Sequence, residues 1–201
     1  MIPNTISQWA THFYVGKVER HDEIVKALSP YLNDPSYFTE PWIYSKCKST
    51  CQSPRNYELP WSVFYEAIKD NVNEYLQSLG PTCEYKISSN EVWLNVYEQH
   101  GFQEIHDHAF PNRAFSCAYM FALPDTESGQ LIFENTSFPV VQATGINRIF
   151  NAFNCEKFIP HIEEGTLVIF PSWAKHYVLP NNSTQPRITI SANFSVEGFY
   201  K

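Results

Sequence analysis

The residues of this chain best suited to chemistry lie in Glu104-Ile105-His106-Asp107-His108. The segment reads as part of a strand over 101–109. Side chains alternate across a strand, so His106 and His108 share one face and Asp107 points to the other. Two imidazoles on one face, their Cβ atoms roughly 7 Å apart, can close on one metal ion. They lack a third ligand, and His176 is the candidate. It follows a buried-strand pattern, Gly165-Thr-Leu-Val-Ile-Phe-Pro171-Ser172-Trp173, that stops at Pro171. Eleven residues beyond His176 comes Arg187, then Thr189. In this last stretch Arg187, Thr189, Ser191, Asn193 and Ser195 share one face, and Ile188, Ile190, Ala192 and Phe194 share the other. Alternation alone describes a half-buried strand with its polar side to solvent.

Two proximal histidines, a distal histidine and an arginine shortly after it suit one chemistry in particular. A non-haem Fe(II) site held by three protein ligands leaves three coordination positions open. Two can take the oxo-acid end of 2-oxoglutarate and the third O₂. The far carboxylate of 2-oxoglutarate is then a buried anion, which needs a bidentate cation and a hydroxyl beside it. Arg187 and Thr189, two apart on one strand face, can supply both.

Other elements must bring these residues together. Residues 11–18 alternate weakly and read as a first strand. Asp22 to about Leu32 reads as a helix: Asp22 and Glu23 favour its start, Ile24, Val25 and Leu28 form an apolar stripe, and Pro30 limits its end. Residues 33–58 read as a long loop with a short strand at most. A second helix starts at Pro60, with Trp61, Phe64, Ile68, Val72 and Leu76 at spacings of three and four, and ends at Leu79-Gly80-Pro81. From about Cys83 the texture changes to strands and turns. Candidate strands are 84–88, 91–98, 101–109, 114–123, 130–134, 148–153, 166–170 and 187–195, separated by turn formers such as Ser128-Gly129 and Glu164-Gly165. The expected fold is mostly β, a double-stranded β-helix (jelly-roll) barrel buttressed by two N-terminal helices. Residues 1–201 read as one domain, with the buttress over about 1–82 and the barrel core over about 83–198. On pattern alone, a mixed α+β sandwich without a site is the alternative.

Composition narrows the function class. The 201 residues are 16% aromatic and 17% charged, which describes a folded globular chain. The formal net charge of −7 argues against nonspecific binding to nucleic acid or to an anionic membrane. No run of about 18 apolar residues reads as a membrane span. The start, Met1-Ile2-Pro3-Asn4-Thr5, lacks the basic and apolar regions of a signal peptide. Five scattered cysteines, Cys47, Cys51, Cys83, Cys117 and Cys155, suit thiols in a reducing cytoplasm. Cys47-x-x-x-Cys51 is at most half a zinc site, since no matching pair follows, and reads as a cysteine-containing loop. His12, His21 and His100 have no partner at ligand spacing, and His161 reads as a loop histidine before the Gly165 strand.

Several stretches together carry a family resemblance. They are Trp93-Leu-Asn95-Val-Tyr97, Gln103-Glu104-x-His106-x-His108, Ser116-Cys-Ala-Tyr119 and Gly129-Gln-Leu-Ile-Phe133. Gly165-Thr-Leu-Val-Ile-Phe-Pro-Ser-Trp-x-x-His176-x-Val-x-Pro180 and Arg187-Ile-Thr189-Ile-Ser-x-Asn193-Phe194 complete them. Over roughly residues 91–195 the chain resembles the 2-oxoglutarate/Fe(II)-dependent oxygenases of phages and marine bacteria, distant relatives of prolyl 4-hydroxylases. The resemblance implies a hydroxylase that uses Fe(II), 2-oxoglutarate and O₂. It implies His106, His108 and His176 as iron ligands and Arg187 and Thr189 on the 2-oxoglutarate carboxylate. It also implies Tyr97 and Tyr119 as tyrosines touching the co-substrate. The location is then cytoplasmic, a host's cytoplasm if the chain is phage-encoded.

One departure from the wider superfamily stands out. That superfamily uses His-x-Asp/Glu, whereas this chain has His-x-His, which makes the metal centre more positive by one charge. Glu104 shares a strand face with His106, so Glu104–His106 is the alternative proximal pair; Asp107 would need a bulge to take part. Two other functional readings stay open. One is a three-histidine cupin-type dioxygenase that works without 2-oxoglutarate; the other is a non-enzymatic binding module. The substrate is an unidentified small molecule or peptide. Its mouth is expected from loops 33–58, 109–114 and 135–147, the last a candidate lid.

Overall fold

The computed structural model describes residues 10–39, 45–149 and 155–199. The helical buttress forms where the apolar stripes lie. α1 (His21–Leu28) buries Ile24 and Leu28. It gives way to a 3₁₀ turn at Ser29–Tyr31, short of the expected Leu32, because Pro30 cannot donate a backbone hydrogen bond and disfavours helix at the residue before it. α2 (Trp61–Ser78) buries Trp61, Phe64, Ala67, Ile68, Val72, Tyr75 and Leu76, close to the stripe read from its spacing.

The strands form two antiparallel sheets. The larger comprises β1 (Tyr14–Lys17), β2 (Lys48–Ser49), β3 (Glu84–Tyr97), β5 (Phe115–Ala122), β8 (Thr166–Pro171) and β10 (Arg187–Phe199). Their order is β1-β8-β5-β10-β3-β2. The smaller sheet comprises β4 (Gln103–His106), β6 (Leu131–Glu134), β7 (Lys157–Phe158) and β9 (His176–Val178), in the order β4-β9-β6-β7. Two facing antiparallel sheets with helices on the outside of one make a double-stranded β-helix.

β10 lies at the centre, paired with β3 on one edge and β5 on the other. Its two faces meet different surroundings. Ile188, Ile190, Ala192 and Phe194 join Leu94, Cys117, Tyr119 and Leu167 in a core against α1 and α2. On the inner side Tyr97, Met120, Val168 and Phe170 meet Leu131, Phe133 and Val178 of the smaller sheet. The polar row of β10 therefore faces the space between the sheets rather than solvent: Arg187, Thr189 and Asn193 are all buried.

Other differences from the sequence expectations have local causes. Residues 84–88 and 91–98 are one strand, because the ladder absorbs Asn90 as a bulge: Glu91 pairs with Asn193 and Ser89 with Phe194. The polar pair Ser89-Asn90 reads as a turn but continues the strand. The expected strand at 148–153 meets a 3₁₀ turn at Ile146–Arg148, and its residues 150–153 lie outside the described residues. Within the expected loop 135–147 stands α3 (Phe138–Thr144), which has Pro139 in its first turn and stops at Gly145 in the left-handed region, φ 76°. β7 and β9, of two and three residues, are too short to show a period.

Phe64 is fully buried between α2 and the sheet, its ring 5.7 Å from that of Tyr119. Replacing it with Ala is expected to lower the unfolding free energy by about 3–5 kcal/mol in urea denaturation. The same change at Tyr57, 81% exposed, is expected to shift it by no more than about 0.5 kcal/mol.

Candidate metal centre and anion pocket

Three histidines converge between the sheets. His106 ends β4 and pairs directly with His176, which starts β9. His108 lies two residues past the end of β4, where its backbone N–H donates to the Ser172 carbonyl at 2.7 Å. The ring centroids are 4.3 Å apart for His106–His176 and 5.2 Å for each of the other two pairs. One ring nitrogen from each residue lies within 4.8 Å of the other two. Trp93 stacks on His108 at 5.7 Å, and Phe170 meets His176 edge-on at 4.8 Å.

Each imidazole is oriented through Nδ1. That of His106 lies 2.8 Å from the Glu104 carbonyl, that of His176 2.9 Å from the Ala174 carbonyl, and that of His108 2.7 Å from Asn193 Oδ1. A nitrogen facing a carbonyl oxygen must carry the proton, so in each neutral ring Nε2 presents its lone pair. Burial, with His106 alongside, pulls His108 down to about 4 and holds His176 well below its ordinary value. Both are therefore neutral near pH 7, the form that binds a metal. Three imidazole donors suit iron, nickel, zinc or copper.

Glu104 lines the same cavity but is outside this group; its carboxylate accepts from the Gln103 side chain at 2.8 Å. The β4–β9 ladder slips by one residue between Gln103 and His106, which breaks the alternation linking Glu104 to His106. Asp107 turns its carboxylate to the Ala109 N–H at 3.1 Å. Cys47 and Cys51 also line the cavity, and neither joins a cluster of metal-binding side chains among the described residues. Burial pushes the Cys47 thiol up to about 11, so it stays protonated.

The cavity measures about 440 Å³ and runs from the histidines to Arg187, Thr189 and Tyr97. Arg187 is 1% exposed. Its Nη1 donates to the Gly129 carbonyl at 2.8 Å and its Nη2 reaches the Met120 sulfur at 3.5 Å. Its Nε has no partner, and among the described residues no carboxylate pairs with the guanidinium. Desolvation lowers Arg187 to about 10, which leaves it charged at neutral pH. The Tyr97 ring lies 5.7 Å from the guanidinium carbon, and its hydroxyl interacts with Thr189. Burial raises the Tyr97 phenol, so it too stays protonated. A buried cation beside two hydroxyls, with no counter-ion among the described residues, can accommodate an anion.

Tyr119 does not belong here, and its expected contact with the co-substrate is corrected. It pairs with Ile190, whose side chain faces the helices, while Met120 opposite Thr189 points inward. The Tyr119 hydroxyl meets His21 Nδ1 at 2.5 Å, and His21 Nε2 lies 3.2 Å from Glu164. The pair fastens α1 to the sheet. His12 and His161 are exposed, and His100 sits in a turn with φ 64°. Sequence reasoning missed Gly129 and Met120 as partners of Arg187. Gly129 appeared as a turn marker and within one stretch of the family resemblance, and nothing in the local pattern reports where its carbonyl points.

A model of the family described as "Putative 2OG-Fe(II) oxygenase" matches residues 91–193, just over half of the chain. No curated protein matches the chain. Several solved structures share the fold. A prolyl-4-hydroxylase from Pseudomonas putida is 18% identical over 94% of this chain and 95% of its own, with a TM-score of 0.61. A prolyl hydroxylase from Trichoplax adhaerens, solved with a hypoxia inducible factor peptide fragment, is 12% identical over 91% and 83%, at 0.61. The epimerase SnoN, solved with Fe³⁺, alpha ketoglutarate and nogalamycin RO, is 10% identical over 94% and 82%, at 0.63. The class is thus a double-stranded β-helix enzyme. The chain belongs to the 2OG-Fe(II) oxygenase family and is a dioxygenase dependent on Fe(II) and 2-oxoglutarate.

An unpaired buried charge weakens the protein that carries it. Arg187→Met keeps most of the volume and removes the charge, and losing the Gly129 hydrogen bond offsets only part of the gain. The metal-free, ligand-free variant is expected to melt at a higher temperature than the parent by calorimetry; a lower midpoint would contradict this account of Arg187.

Proposed function

We propose that the protein hydroxylates a C–H bond of a small-molecule or peptide substrate, with 2-oxoglutarate converted to succinate and CO₂. His106, His108 and His176 hold Fe(II) through Nε2, and Arg187, Thr189 and Tyr97 bind the far carboxylate of 2-oxoglutarate. When bound, the metal supplies O₂ activation coupled to decarboxylation of the co-substrate. The observation that carries the reading is the orphaned Arg187 guanidinium, a buried cation without a counter-ion at one end of a cavity whose other end holds three imidazoles.

Each residue has a definite task in this reading. The three neutral imidazoles leave the full double charge of the metal available to an anionic co-substrate, which a carboxylate ligand would reduce. Arg187, fixed by the Gly129 carbonyl, lines the cavity with its Nε–H still unpartnered, and Thr189 adds a hydroxyl donor two residues along the same row. Trp93, Phe170 and Phe133 pack on the histidine rings and keep water from their flanks. The relatives include a protein solved with a peptide and one solved with nogalamycin RO, which supports leaving both substrate classes in view. No described helix is long and apolar enough to cross a membrane, and we assign the protein to the cytoplasm.

The test uses the purified protein without its substrate. Anaerobic Fe(II) with 2-oxoglutarate is expected to give the weak visible charge-transfer band of the chelate, and air with ascorbate is expected to yield succinate slowly. His176→Ala should lose the band together with iron. Arg187→Ala should keep iron but raise the 2-oxoglutarate needed for half-saturation at least about 30-fold, the factor expected when a charge-assisted contact worth 2 kcal/mol is lost. An unchanged 2-oxoglutarate titration in Arg187→Ala would remove the co-substrate assignment.

A further inference from the structure

His108 is oriented differently from the other two histidines. His106 and His176 donate to carbonyls two residues earlier in the chain, a local arrangement. His108 depends on a side chain 85 residues away, Asn193 on the inner row of β10. Asn193 is 1% exposed and makes three hydrogen bonds. Its Oδ1 accepts from His108 Nδ1 at 2.7 Å and from the Ser116 hydroxyl at 2.8 Å. Its Nδ2 donates to Glu91 at 2.8 Å. Glu91 in turn pairs with Arg113 at 2.6 Å, at the mouth of the cavity.

The direction of this chain follows from the chemistry of its ends. Arg113 can only donate and the Glu91 carboxylate can only accept. The amide must therefore turn its NH₂ to Glu91, which leaves its oxygen for His108. A ring nitrogen facing that oxygen must carry the proton, so Nε2 is bare. The amide orientation and the tautomer are ordinarily ambiguous; here an ion pair at the cavity mouth decides both. Ser116 steadies the same oxygen, and its hydroxyl lies 3.0 Å from that of Ser172, whose carbonyl holds the His108 backbone.

We propose that Asn193 is a positioning residue: held in one orientation by Glu91 and Arg113, it locks His108 in the Nδ1–H tautomer and so makes it a metal donor. The amide also supplies an acceptor without a charge, so the negative charge of Glu91 is kept one side chain further from the metal position. The inference rests on the three-histidine reading of the metal site.

The experiment has two arms. In metal-free protein labelled with ¹⁵N-histidine, the ring nitrogen shifts of His108 are expected to report the Nδ1–H tautomer. Asn193→Leu, close in shape and lacking an acceptor, should move them toward Nε2–H, and Asn193→Asp, which keeps an oxygen there, should restore the parent pattern. In the second arm Co(II) is titrated. Asn193→Leu should weaken binding about 10–100-fold, the range for lost partners of metal-bound histidines, and should change the Co(II) ligand-field spectrum. Glu91→Leu, at an exposed position, should leave the amide free to flip and weaken Co(II) at least about three-fold; it tests the lock if Asn193→Leu does not fold. An unchanged tautomer and unchanged Co(II) affinity in folded Asn193→Leu would overturn the proposal. Undiminished Co(II) binding by His176→Ala would overturn the metal reading instead, and the metal-free tautomer measurement would still decide the role of Asn193.

Discussion

Everything in this structure depends on residues 188–194 of β10 being covered on both faces and paired on both edges. A strand in that position has no solvent-facing side on which to place a polar residue cheaply. Its period of two then sorts each residue into the helix-backed core or the inter-sheet cavity, with nothing between. The inner row, Arg187, Thr189, Ser191 and Asn193, is polar throughout. At about 3.3 Å per residue the row is a ruler roughly 20 Å long from Arg187 to Asn193. The anion pocket stands at one end and the support of His108 at the other. The outer row, Ile188, Ile190, Ala192 and Phe194, holds the ruler against the helices.

The electrostatics of the cavity follow from that geometry. The chain carries a net charge of −7, yet the cavity has a guanidinium without a carboxylate partner among the described residues at one end and three histidine rings at the other. Its acidic wall residues are directed elsewhere: Glu91 to Arg113 and Asn193, Glu104 to Gln103, Asp107 to a backbone N–H. In an interior of low dielectric one unpaired charge is felt across the whole cavity. An acidic protein thus holds a small electropositive interior, and a dianion that also ligates a metal answers both ends of it at once.

The parts legible in the sequence were those with a sustained period. α2 announced itself through eighteen residues of three-four spacing, and the two faces of β10 through unbroken alternation. The three histidines were found because their residue type is scarce and their spacing simple. What failed to show was relative placement. Tyr119 looked like a site residue through the family resemblance alone, but which face of β5 looks inward is decided by register with β10, and no stretch of the sequence carries that register. Glu104 looked interchangeable with His108 until the slipped ladder at Gln103–His106 separated them. Asn193 read as one more polar residue of a strand, since its partners Glu91, Ser116 and His108 lie 102, 77 and 85 residues away.

Gly129 carries a consequence for how this chain can vary. It adopts φ +79°, and a Cβ there would sit 2.3 Å from the Leu179 carbonyl, a backbone atom that cannot swing aside. Its own carbonyl accepts from Arg187 Nη1 and, among the described residues, is the oxygen that fixes the guanidinium. A side chain at this turn would displace that carbonyl and loosen the guanidinium, although the turn itself contains no catalytic group. Drift at a connecting loop is ordinarily free; here the turn is tied to the pocket by that hydrogen bond and held in shape by sterics. At this position the constraint takes the form of a forbidden methyl group rather than a required functional one.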